Sequence, residues 1–122
     1  MSEKHVMTVK VVGLPYGVDT VDDIKLVNPS DDGDILWGHT DFYTQRIRMF
    51  AACPERTLRT FLHELLHGII GEGQIVELCK EDGTHLEPPI EQLANGLGEA
   101  LESVGIGWNE LKASYWKMKD GL

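Results

Sequence analysis

The sequence is poor in cysteine, in positive charge and in long apolar runs, and each shortage narrows what the protein can be. Cys53 and Cys79 are the only cysteines, and they lack C-x-x-C spacing. Cys79 reads more readily as a small buried residue than as a metal ligand. Lysine and arginine total 11 against 20 aspartates and glutamates, a formal net charge of −9. An acidic surface repels phosphate backbones, which argues against a broad nucleic-acid-binding face. The small basic cluster Lys112, Lys117 and Lys119 reads as a solvated helix face. No apolar run approaches the ~20 residues needed to cross a bilayer. The opening "MSEKHVMTVK" has no hydrophobic core of a secretory signal. The expectation is therefore a cytoplasmic protein with no membrane partner, its cysteines reduced. Internal repeats and low-complexity linkers are also missing.

What remains is 122 residues, 42% apolar and 25% charged, enough for one globular domain spanning 1–122 with its own core. The N-terminal third reads as β structure. In "HVMTVKVV" Met7, Val9 and Val11 share one face, while Thr8 and Lys10 take the other. "GLPYG" is expected to break that strand, "TVDDIKLV" to form a short helical turn and the acidic "NPSDDGD" a solvated loop. "ILWGH" and "QRIRMF" read as a hairpin, with Ile47 and Met49 inward and Arg46 and Arg48 outward.

The remainder is helical. Pro54 suits the first turn of a helix that runs to about Ile70 and stops at Gly71 and Gly73. A second helix begins near Pro88–Pro89 and ends before Gly105. Its apolar stripe is expected to be Ile90, Leu93, Leu97, Leu101 and Val104, flanked by the small residues Ala94 and Gly98. Asn109 caps a third helix with a stripe of Leu111, Tyr115, Met118 and Leu122. Strands first and helices after give an α+β fold.

The first long helix carries "FLHELLHGI". At about 100° per residue, Leu58, Phe61, Leu62, Leu65 and Ile69 cluster on one side, with His63 and His67 nearly opposite. Residues four apart stack along a helix face, so both imidazoles can point at one ion. Glu64 lies about a quarter turn around, placed to take a proton from water rather than to ligate. The bland alternative is an exposed helix with two solvated histidines.

A catalytic zinc site takes three protein ligands and leaves a position for water. The long metzincin pattern is excluded because Ile70 and Gly73 stand where it needs Gly and His. On the second helix, Glu87 and Glu91 both qualify by position as the third ligand, and either could instead simply favour the positive end of the helix dipole.

"FLHELLHGI", followed about twenty residues later by a helix of the form E-x-x-I-x-x-L-A, resembles the ImmA/IrrE-type zinc peptidases and the small phage-encoded zincins similar to them. The resemblance covers about residues 36–101 and includes "GHTDFYTQRIRMF" as the strand pair before the metal helix. It implies a minimal zincin-like domain, a small antiparallel or mixed sheet packed on the active-site helix and on a second ligand-bearing helix. It also implies zinc held by His63, His67 and Glu87, with Glu64 as general base. Two prolines directly follow Glu87, and His85 could instead be the third ligand, as in SprT-like proteins. Zinc lowers the pKa of water from roughly 15.7 to about 7, so the chemistry expected is hydrolysis of a protein or peptide substrate. His39, His85 and Tyr115 are candidate oxyanion donors, and "QRIRMF" a strand for an extended peptide to pair with. Two other readings stand beside this one: a metal-binding adaptor that cuts nothing, and a helical interaction protein without metal.

Overall fold

The structure, a computed structural model, describes residues 3–23, 27, 37–50 and 54–113, with no side-chain detail at 54 and 55. Strand β1 (Glu3–Val11) turns at Val12 and Gly13, whose φ values are 50° and 85°, into β2 (Leu14–Val21). Two successive positive φ angles make the hairpin turn whose twist matches that of the strands. The break expected over "GLPYG" is thus confined to two residues, and most of that stretch belongs to β2. Proline is tolerated there because β2 has only β1 beside it at Pro15; β4 begins to pair at Gly17. Thr20 and Val21 also belong to β2 rather than to a helical turn. The rest of that turn, residues 24–26, and the loop 28–34 lie outside the described residues, as do Cys53, Tyr115, Lys117, Met118, Lys119 and Leu122.

β3 (Gly38–Asp41) and β4 (Arg46–Phe50) form the expected antiparallel hairpin. β4 lies parallel to β2, so the sheet is mixed with order β1-β2-β4-β3. This order overturns one expectation. "QRIRMF" is an interior strand, with both edges already paired, and β3 is the edge strand on that side. Alternation holds elsewhere: Met7, Val11, Tyr16, Val18, Ile47 and Met49 face the core, and Arg46 and Arg48 face away.

Helix α1 (Pro54–Gly73) covers the apolar face of the sheet with Leu58, Phe61 and Leu62. Helix α2 (Glu87–Ser103) packs against α1. Arg59 faces Asn95, Gly98 and Glu102, whereas His63 faces Glu87 and Glu91, so the two helices run antiparallel. The face α2 buries is Ile90, Ala94 and Gly98; of the expected stripe Ile90 is buried and Leu101 packs partly against the core, but Leu93, Leu97 and Val104 are exposed. Small residues win because the stem of Arg59 lies against α2. A Cβ on Gly98 would stand 3.3 Å from Arg59 Cγ, so any larger side chain there would have to push the arginine stem aside. Residues 108–113 are helical, and Trp108 packs on Phe61 at 5.5 Å between ring centroids. This helix is closed at its start by Glu110, which accepts the Gly107 N–H at 3.0 Å, so Asn109 is not its cap.

On the far face of the sheet, Asp19 is almost fully buried between Arg46, which donates to both of its oxygens at 2.7 and 2.6 Å, and His5 at 3.1 Å. Burial pushes the Asp19 pKa up, but the bonds from Arg46 and His5 outweigh it and hold the carboxyl below its ordinary value. Its stabilising contribution is therefore complete above the unfolded-state value of ~3.9 and is lost as pH falls through the lower folded-state value. Asp19→Asn is expected to cost ~1–3 kcal/mol at neutral pH. In urea denaturation the gap to wild type should narrow once the pH drops below about 4. A gap that persists undiminished in acid would mean that the carboxylate charge is not its source.

Candidate metal centre

The site assembles where α1, α2 and β3 meet. His63 and His67, one turn apart on α1, bring their rings to 4.9 Å between centroids and their Nε2 atoms to 3.2 Å. Both are partly buried, because α2 and the segment before it cover the face that α1 turns away from the sheet. The bland picture of two solvated imidazoles does not describe them.

Three candidates for a third ligand sit around this pair, and their positions sort them. Glu87 is the first residue of α2, and Pro88 and Pro89 follow in the first turn, where missing N–H donors cost no helix bonds. Its Oε2 lies 3.2 Å from His63 Nε2 and its Oε1 3.1 Å from His67 Nε2. Glu91, one turn later, instead reaches the other side of the His63 ring, with Oε2 3.0 Å from Nδ1. His85 meets the other side of the His67 ring, Nδ1 to Nδ1 at 2.7 Å. His85 is placed by a small hairpin in which Cys79 bridges His85 and the Leu86 N–H bonds to the Leu78 carbonyl at 2.8 Å. Its ring stacks on His67 at 20° and meets Phe42 edge-on.

The consequence is chemical. A carboxylate only accepts, so with a cation held on the ε side Glu91 would keep the His63 proton on Nδ1 and free Nε2 to ligate. His67 Nδ1 is likewise engaged, by His85, whichever of the two rings carries the shared proton. Burial lowers the His67 pKa, with His63 and His85 adding to this against the opposing charge of Glu87, which favours the neutral ring that a metal requires. Two imidazole Nε2 atoms and a carboxylate converge on one point. His63, His67 and Glu87 each offer a donor atom within 4.8 Å of the others. A tetrahedral ion with bonds of ~2.0–2.1 Å needs donors ~3.3 Å apart, close to the separations here, and the nitrogen–oxygen donor set suits zinc. Cys79 takes no part: its thiol donates to the Ile75 carbonyl at 3.5 Å.

Glu64 points the other way around the helix, toward β3, and is only 8% exposed. Thr40 Oγ1 stands 2.8 Å from both Glu64 Oε1 and the Glu64 carbonyl oxygen. This closeness depends on Gly38, because a Cβ there would lie 2.7 Å from Thr60 Cγ2 and 3.0 Å from Glu64 Cγ. Burial raises the Glu64 pKa, and the Thr40 hydroxyl, His63 and His39 oppose that rise without cancelling it. Sequence reasoning passed over Thr40, Gly38 and Phe42. Each acts through a contact made only in the fold, and the one available signal was their place in the strand and turn before α1.

His39, Thr40, His63, Glu64, His67, His85, Glu87 and Glu91 all line one open cleft of about 1120 Å³. Tyr115 lies outside the described residues. Comparison of the chain with protein-family models, with curated proteins and with solved structures returns no match.

In zinc titrations against a competing chelator, His63→Ala and His67→Ala are each expected to abolish stoichiometric binding. Glu87→Ala should weaken it by at least the ~10–100-fold typical of losing an outer-shell partner. Glu91→Ala and His85→Ala, which remove only orienting bonds, should do less. A larger loss in His85→Ala than in Glu87→Ala would make His85 the third ligand.

Proposed function

We propose that the protein is a zinc-dependent peptidase in which His63, His67 and Glu87 hold the metal and Glu64 is the general base. The observation that carries this reading is the convergence of two imidazole Nε2 atoms and a carboxylate while each ring's Nδ1 is engaged elsewhere. A bound zinc ion would supply Lewis acidity, activating water and polarising a carbonyl oxygen. The chain's own residues supply the rest. Glu64 shares the cleft with the ligands, takes a proton from water and returns it to the leaving amine. Its raised pKa brings it closer to the working pH of such a base. Thr40 keeps one of its oxygens in place.

Peptide is the substrate class that the cleft wall favours. β3 is paired on one side only among the described strands, so its other edge is open to an extended chain. This role passes from β4, where the sequence had suggested it, to β3. The short resemblance of the metal helix to ImmA/IrrE-type peptidases points to the same reaction.

A metal-binding adaptor is the second reading, and the burial of Glu64 under Thr40 favours it, because a base must reach its water. One substitution separates the two. Glu64→Gln keeps size and polarity and removes the basic oxygen. Cleavage of a peptide library should fall by ~10²–10⁴-fold while zinc content stays at one per chain. Undiminished cleavage would remove Glu64 from the mechanism. Absence of cleavage by the zinc-loaded wild type would favour the adaptor.

A further inference from the structure

The cleft is not uniform in charge. Its middle holds Glu64, Glu87 and Glu91, and one end holds Arg56 and Arg59, the only lysine or arginine side chains among its described lining residues. In a chain of net charge −9 such a cationic end stands out. Both arginines precede His63 on α1, by four and seven residues, or ~6 and ~10 Å along the axis. Arg59 is partly occupied: it reaches Asn95 Oδ1 at 3.4 Å and Glu102 Oε2 at 3.5 Å, both long contacts. Arg56 is exposed, and its Cζ lies 4.4 Å from the centre of the Trp37 ring. A guanidinium lying over an aromatic face keeps its N–H edge free for a planar acceptor, and a carboxylate matches that edge in two bonds. Trp37 therefore holds Arg56 against the cleft wall without consuming its donors.

We propose that Arg56, supported by Arg59 and Trp37, forms a subsite for a substrate carboxylate two or three residues to the C-terminal side of the bond being cut. The distance follows from the axial spacing above, since an extended chain advances ~3.3 Å per residue. The direction follows from β3 and from antiparallel pairing, the more stable mode per residue and the one β3 already makes with β4. Gly38 lies beside Thr60 and Glu64 toward the arginine end, and Phe42 lies beside His85 at the other. A peptide antiparallel to β3 runs from Phe42 toward Trp37, so its C-terminal half meets the arginines. The cleft then selects an acidic side chain or a free chain terminus, and the central carboxylates repel the same group elsewhere. The inference rests on the peptidase reading for what the subsite serves, but not for whether it binds.

The test is selection of a randomised peptide library, with free or amidated C-termini, by zinc-loaded Glu64→Gln protein, read as binding without turnover. Expected is enrichment of about tenfold, the order of one charge-assisted hydrogen bond. Enrichment of Asp and Glu at one position identifies a side-chain carboxylate, and enrichment of free over amidated termini identifies the chain end. Adding Arg56→Glu should abolish the enrichment and favour Lys and Arg instead. Because Arg56 is exposed, unchanged zinc content will show that this variant folds. Peptides retained without acidic preference, a preference unchanged in Arg56→Glu, or no peptides retained at all would each overturn the subsite. Wild-type cleavage of the same library judges the parent reading separately. Cleavage without acidic preference sinks only the subsite, and Arg56-dependent selection without any cleavage sinks only the peptidase.

Discussion

The close antiparallel contact between α1 and α2 is the constraint on which the site depends. Glu87 reaches the two imidazoles from an α2 whose buried Ala94 and Gly98 face α1, with Gly98 against the stem of Arg59. That contact also fixes what α2 leaves outside. Leu93, Leu97 and Val104 stay in solvent, although their hydrophobicity alone would have buried them. Helix packing is decided by shape as well as by apolar area, and here the narrow face fits where the leucine face does not.

The chemistry of the centre follows from how protons are distributed around it. The two imidazole Nε2 atoms lie 3.2 Å apart, and a cation between them would take a lone pair from each. Glu91 and His85 engage the Nδ1 atoms, and Glu87 brings a negative charge to the ε side of both rings. The cluster could hold a cation, and binding of an ion to the folded state alone would raise stability by mass action. The same logic separates a ligand from an orienting partner: Glu87 meets both ε nitrogens, whereas Glu91 and His85 each meet one δ nitrogen.

The sheet contributes by what it leaves open. With β4 between β2 and β3, the strand nearest the cleft is the short edge strand β3. Gly38 sets β3 against α1, and Thr40 meets Glu64 at that contact. One strand therefore both holds the acidic side chain beside the His63–His67–Glu87 cluster and offers a backbone edge along the cleft. Its four residues limit exposed edge length, which is how native sheets blunt unwanted pairing.

Local pattern determined much of this. The α+β class, the strand alternation at Met7 to Val11 and at Ile47 and Met49, the extents of both long helices, and the shared face of His63 and His67 all follow from periods of 2 and 3.6 residues together with Pro and Gly signals. These are properties of neighbouring residues, so the chain alone specifies them. The hairpin turn at Val12–Gly13, the interior place of β4, the exposure of the α2 leucines and the closing of the last helix by Glu110 were not legible. Each depends on which element lies alongside, and periodicity carries no information about partners. The choice among Glu87, Glu91 and His85 is of the same kind. All three lie within reach in sequence, and only the crossing of α1 and α2, with the small hairpin before α2, turns one toward the ε nitrogens and the other two toward the δ nitrogens.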